Sequence, residues 1–153
     1  MDTDTILTLE HLKNWTFTGT PLAVLGFPIH HSISPAMHNA ALAEMAKTHP
    51  ELSDWQYFRF EVHPDELPQA LKTLHQHNFL GINLTLPHKI IAFKEIDHID
   101  ATAQPIGAIN TLRWTPQGYE GFNTDGYGLE HGLREDLQAT LENAHVILLG
   151  AGG

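Results

Sequence analysis

"GINLTLPHKIIAF", residues 81–93, is the stretch whose reading decides the fold. Residues 81–86 are mostly apolar and short enough for one strand buried in a core, and Pro87 ends the strand because proline has no N–H to give a ladder. From His88 onward "HKIIAFKEI" reads as a short helix. A strand that turns directly into a helix is half of an α/β unit. Lys89 stands at the junction, where the chain leaves the core, and that is where open α/β sheets build their sites.

The rest of the chain repeats the alternation. Residues 21–27, "PLAVLGF", read as a strand buried on both faces, and "SPAMHNAALAEMAKTH", 34–49, as a helix. In that helix Ser34 is the expected N-cap, Pro35 the first helical position, and Met37, Ala40, Ala41 and Met45 the face toward the sheet. "WQYFRFEV", 55–62, is aromatic-rich and β-forming, and "HPDELPQALKTLHQHN", 63–78, spaces Leu67, Leu71 and Leu74 for a helix that tolerates Pro68 in its first turn. "AINTLRW" (108–114) and "YEGFNT" (119–124) are joined by "TPQG" and predict an antiparallel hairpin. A helix over 125–137, with Leu129, Leu133 and Leu137 four apart, and a last strand, "HVILLG", complete the pattern. The expected fold class is α/β: a three-layer α-β-α arrangement on a mainly parallel sheet with one antiparallel hairpin strand.

Composition narrows what such a sheet serves. With 153 residues and 42% hydrophobic content, the chain suits one domain with a sizeable core and at most part of a second. Eight Lys plus Arg against eighteen Asp plus Glu give a net charge of −10, the wrong sign for nucleic acid or anionic lipid. There is no cysteine, and therefore no disulfide framework, thiolate metal site or cysteine nucleophile. The twelve histidines do not fall at zinc spacings and no "HExxH" occurs, so no metal is expected. The first fifteen residues lack the basic and apolar regions of a leader, and no segment is long enough to span a bilayer, so the expected location is the cytoplasm and the expected partner a small molecule.

The polar residues that follow each strand form a short and chemically coherent set. "HHSISP" offers the hydroxyls of Ser32 and Ser34 beside a helix N-terminus, which suits a carboxylate or phosphate; capping alone also accounts for Ser34. Asn83 and Thr85 lie two apart on a strand and share a face, where they either bind vicinal hydroxyls or hydrogen-bond across the sheet; Asn110 and Thr111 pose the same choice. Lys89 and Asp125 each have a bland reading, as a solvated ammonium and a helix cap. Together in one cleft, an ammonium and a carboxylate can instead pass a proton to or from a substrate oxygen. The chain's last strand runs into "GAGG", residues 150–153, either a glycine-rich tail or the opening of a dinucleotide-binding βαβ unit.

"HSISPAMHN", "GINLTLPHK", "GAINT", "GFNTDGYG" and "VILLGAGG", in this order, resemble the shikimate dehydrogenase family, and the likeness runs through nearly all of the chain from Thr18 onward. The resemblance implies reversible, NADP-dependent reduction of 3-dehydroshikimate to shikimate in aromatic amino acid biosynthesis. It assigns Ser32 and Ser34 to the substrate carboxylate, and Asn83, Thr85 and Asn110 to substrate binding. Lys89 and Asp125 become the catalytic pair, both also touching substrate, and Gly150, Ala151, Gly152 and Gly153 the start of the cofactor loop. On this basis residues 1–124 form the substrate domain, 125–143 a connecting helix, and 144–153 the first strand and loop of a nucleotide domain. The family's remaining nucleotide domain, and a C-terminal segment that adds a glutamine ligand, have no counterpart up to Gly153. The chain alone is therefore expected to bind little NADP and to lack dehydrogenase activity. A quinate or quinate/shikimate dehydrogenase, with NAD as the alternative cofactor, and a non-catalytic module for small hydroxy acids are the alternatives.

Overall fold

The structure, a computed structural model, describes residues 5–149. In chain order its elements are β1 (Ile6–Leu7), α1 (Leu9–Lys13), β2 (Thr20–Gly26), α2 (Ser34–Met45), β3 (Trp55–Glu61), α3 (Leu67–Gln76), β4 (Gly81–Leu84), α4 (His88–Glu95), β5 (His98–Ile99), β6 (Thr111–Thr115), β7 (Gly118–Phe122) and α5 (Asp125–Asp136). The strands form one sheet in the order β1-β3-β2-β4-β6-β7-β5. The first four are mutually parallel, β6 runs against both β4 and β7, and β5 lies parallel to β7. The mainly parallel sheet with one reversed hairpin strand is thus present.

Alternation along the strands divides the molecule into layers. Ala23 is in register with Phe58 on one side and Ile82 on the other. These residues, with Leu25, Phe60 and Leu84, face a core closed by Leu12 of α1, by Leu67, Leu71 and Leu74 of α3, and by Ala92 of α4. Trp15 seals the rim, with its ring 5.0 Å from those of Phe58 and Phe79. The intervening residues Val24 and Tyr57 point to the opposite face and pack with Leu42 of α2. That second face is the thinner one, and the polar residues of the sheet are drawn to it.

Several elements differ from the sequence reading. β1 and β5 are two-residue edge strands, too short to leave a periodic signal. α2 turns a different face to the sheet: Pro35 is buried and His38, Asn39, Leu42 and Ala46 are half-buried, whereas Met37 and Met45 are 56% and 49% exposed and Ala40 and Ala41 face outward. Small apolar residues occur all round this helix, so spacing alone gives no preferred face. α2 is also oriented by a polar clamp, because Asn39 Nδ2 donates to the Tyr57 carbonyl at 2.9 Å and the Tyr57 N–H donates to Asn39 Oδ1 at 2.8 Å.

The expected strand at 145–149 is not formed. Val146, Ile147, Leu148 and Leu149 are 67–93% exposed and, among the described residues, no strand lies beside them to complete a ladder. Leu129 of α5 and Leu137, which follows that helix, are likewise exposed, at 63% and 69%. Residues 150–153, the expected cofactor loop, lie outside the described residues.

Candidate active site

The parallel strands β2 and β4 end at the same edge of the sheet. β6 begins there because it is reversed, and β7 ends there because it pairs back on β6. Four chain segments, 27–34, 85–89, 110–111 and 123–125, therefore converge although they span nearly a hundred positions. A backbone bond from the Phe27 N–H to the Leu86 carbonyl, 3.0 Å, ties the first two together. Gly26 permits this approach, since a Cβ there would lie 2.5 Å from Thr85 Cγ2.

Lys89 and Asp125, 36 positions apart, meet: Lys89 Nζ donates to Asp125 Oδ2 at 2.7 Å. The lysine side chain is 21% exposed and the aspartate 56%. Among the described residues the bond to Asp125 is the one side-chain bond of Lys89, which leaves two of its three N–H donors unused there. Asp125 is the first residue of α5, with its backbone N–H bonded to Asn123 Oδ1 at 2.9 Å, so it enters the helix and does not cap it. Partial burial pushes its carboxyl pKa up, but the hydrogen bonds from Lys89 and Asn110 and the lysine charge outweigh this and hold it below its ordinary value.

Asn110, 8% exposed, is bonded through every polar side-chain position. Its Nδ2 donates to Asp125 Oδ1 and to Thr124 Oγ1, both at 2.8 Å, and its Oδ1 accepts from the Thr124 N–H and the Thr111 hydroxyl, both at 3.0 Å. Asn83 accepts from the Tyr57 hydroxyl at 2.7 Å and donates to Thr111 Oγ1 at 3.3 Å. Asn83 thus bonds across strands, whereas Asn110 bonds to its neighbour Thr111 and to the two residues that open α5.

The serines behave differently from the sequence reading. The expected N-cap, Ser34, is the first residue of α2; Ile33 occupies the cap position with no side-chain bond. It is Ser32 Oγ that accepts the Ser34 N–H, at 3.3 Å, while the Ser34 hydroxyl makes no hydrogen bond among the described residues. Position alone suggested the cap, but the helix begins one residue earlier, which puts Ser34 inside it and leaves Ser32 to accept its N–H. The loop is also held from β3: Arg59 Nη1 donates to the carbonyls of His30 and Ser32 at 3.0 and 3.1 Å, and the Ile29 N–H donates to Glu61 Oε2 at 3.1 Å. Among the described residues no hydrogen bond joins the serines to the Lys89 group. The edge thus has two poles, hydroxyls beside a helix N-terminus and a lysine–carboxylate pair, with the Thr85 hydroxyl, which has no described partner, on the β4 side.

Sequence reading passed over Tyr57 and Asn123. Asn123, 5% exposed, bonds the Ala108 carbonyl at 3.0 Å as well as the Asp125 N–H, and fixes where α5 starts. An asparagine two residues before a helix is a recognisable turn former, so that signal was present. Tyr57 carried none, since an aromatic residue in a strand reads as core. A cavity of about 380 Å³ between α3, α4 and the β6–β7 turn lies at the other end of the sheet and includes none of the predicted residues.

A family described as the shikimate dehydrogenase substrate binding domain matches residues 24–112. The chain is 37% identical over 130 residues to the NADP(+) shikimate dehydrogenase of Bacillus licheniformis, covering 85% of this chain and 45% of the relative. It is similar to the shikimate 5-dehydrogenase of Thermus thermophilus solved with NADP(H) and shikimate, with TM-score 0.68, 37% identity, and coverage of 76% and 42%. It is also similar to the enzyme of Listeria monocytogenes solved with shikimate and NAD, with TM-score 0.70, 32% identity, and coverage of 79% and 40%. The chain spans less than half the length of these relatives.

Proposed function

The chain belongs to the shikimate dehydrogenase family through its substrate-binding domain, and we propose that it supplies the shikimate site and the proton-transfer group of an NADP-dependent shikimate dehydrogenase. The observation that carries this reading is the Lys89–Asp125 pair, 2.7 Å apart at the edge where the strands end. Shikimate is a cyclohexene acid with three ring hydroxyls, and the two poles of the edge match it. The Ser32 and Ser34 hydroxyls, with the first N–H groups of α2, receive the carboxylate. Thr85, Lys89 and Asp125 receive the ring hydroxyls. Asn83 and Asn110, whose amides are engaged within the site, reach substrate only by exchanging a partner, and in the meantime direct Asp125.

Oxidation of the C3 hydroxyl releases a hydride and a proton. The Lys89 ammonium gives a proton to the carbonyl oxygen as the hydroxyl forms, and in the direction of oxidation the amine left by that step takes the proton back from the oxygen. Asp125 keeps the ammonium aimed and binds the neighbouring hydroxyl. The side chains gathered here exchange protons but cannot accept a hydride, which is the chemistry NADP supplies when bound. The residues expected to open its site, Gly150 to Gly153, fall outside the described residues; their assignment rests on the "GAGG" pattern.

The test is Lys89→Ala in an enzyme that joins this domain to a nucleotide-binding domain. Loss of a proton-transfer group should lower kcat by about 10²–10⁴-fold with a change in KM of less than about tenfold. A kcat within about threefold of the parent's refutes the role.

A further inference from the structure

The polar groups of the site form a chain whose direction follows from chemistry. A carboxylate only accepts, so Asn110 must present Nδ2 to Asp125 Oδ1 at 2.8 Å, and its Oδ1 must then face the Thr124 N–H and the Thr111 hydroxyl, each at 3.0 Å. The Thr111 hydroxyl, having donated to Asn110, can only accept from Asn83 Nδ2 at 3.3 Å. The Asn110 carbonyl, 3.5 Å from the same nitrogen, orients the amide the same way. Asn83 Oδ1 is left facing the Tyr57 hydroxyl at 2.7 Å, which must be the donor. Each link donates toward the carboxylate, and the first donor in the sequence is Tyr57.

Tyr57 is built to hold that hydroxyl still. It is 2% exposed, its ring lies 4.2 Å from that of His38 at an interplanar angle of 9°, and Asn39 binds its backbone on both sides. Both partners come from α2, the helix whose N-terminus forms the serine pole. Burial also pushes the phenol pKa up, so the hydroxyl keeps its proton. A purely structural tyrosine at this depth needs a hydrogen-bond partner of some kind. This one has the side chain of Asn83, two residues before Thr85 and on the face of the sheet that carries the site.

We propose that Tyr57 is a positioning residue for recognition of the substrate's ring hydroxyls: its hydroxyl fixes the Asn83 amide, and through Thr111 and Asn110 the direction in which Asp125 faces the ring. The proposal rests on the shikimate-site reading. It goes further in predicting that hydroxyl recognition and carboxylate recognition are separable at a residue that need not touch substrate.

The test compares shikimate with cyclohexene-1-carboxylate, which keeps the ring and carboxylate and lacks the hydroxyls. Both are titrated into the chain, and into its Tyr57→Phe and Thr111→Val variants, by amide chemical shifts. Tyr57→Phe keeps the ring and its stacking on His38; Thr111→Val cuts the relay from another strand and serves if the first variant folds poorly. In both, the preference for shikimate over the deoxygenated acid should fall about tenfold, the cost of one broken link in a buried network. The Asn83 side-chain amide resonances should also move in Tyr57→Phe. Preference kept within about twofold in both variants overturns the proposal, even if both affinities fall together, because a structural defect weakens the two acids alike. A parent chain with no preference for shikimate overturns the site reading itself, and this inference with it.

Discussion

Lys89 was legible because its setting is local: a proline after an apolar strand places the next charged residue at the sheet edge. Its partner Asp125 was legible less directly, because its own neighbourhood reads as a helix cap and only the hairpin before it and the family resemblance bring position 125 back to 89. Tyr57 and Asn39 were illegible for the opposite reason. Their types suggest core and solvent, and only the register of β3 against α2 and β4 reveals what they bind. His88 is a further case. It is fully buried, and burial holds its pKa below the ordinary 6.5 while the backbone carbonyls of Val62 and Gly26 beside the ring pull the other way. A folded-state value below the unfolded one means that the unfolded chain binds the proton first. Stability should therefore be full above the ordinary value and fall as pH drops below it, until the lowered value is reached. Urea midpoints for the parent and for His88→Leu at about pH 7.5 and about pH 5 check this. The variant should show the smaller loss on acidification; an equal loss in both would assign the dependence to other groups, among them His38, which burial also lowers.

Among the elements, the strands with strong composition were readable to within a few residues: β2, β3, β4 and the β6–β7 hairpin all lie where apolar runs and turn residues placed them. The two-residue strands β1 and β5 were not, because pairing at a sheet edge defines them and their own sequence does not. The register of α2 was missed because alanine and methionine occur on several of its faces. What seats this helix is Asn39, which satisfies the Tyr57 N–H and carbonyl together. Asn39→Ala leaves both backbone groups without those bonds and should destabilise the fold by about 2–4 kcal/mol in urea denaturation. Asn39→Asp keeps the acceptor for the Tyr57 N–H but sets an oxygen against the Tyr57 carbonyl, so it should not restore the parent's stability. A loss below about 0.5 kcal/mol for the alanine variant would mean that packing of Leu42 and Pro35 alone holds α2.

At the scale of the whole molecule, the reversal of β6 is what makes the site. If β6 ran parallel to β4, Asn110 and Thr111 would lie at the opposite end of the sheet from Lys89, and β7 would deliver Asp125 there as well. The hairpin predicted by "TPQG" is thus the feature that links fold to chemistry, and it was visible in the sequence. The layering was visible too, through the alternation of strands and helices along the chain. What could not be read was how thoroughly the polar residues engage one another, because hydrogen-bond partners in a sheet follow from three-dimensional register. On the proposed reading this edge is a shikimate site with a carboxylate pole and a hydroxyl pole. The most direct measurement is titration of shikimate into the chain, following the backbone amides of Ser32, Ser34, Thr85, Lys89 and Asp125. Saturable shifts concentrated at both poles, with the 380 Å³ cavity by Lys72 and His75 unmoved, are the predicted result. A well-dispersed spectrum with no shifts at these residues, or with shifts only at that cavity, would contradict the account.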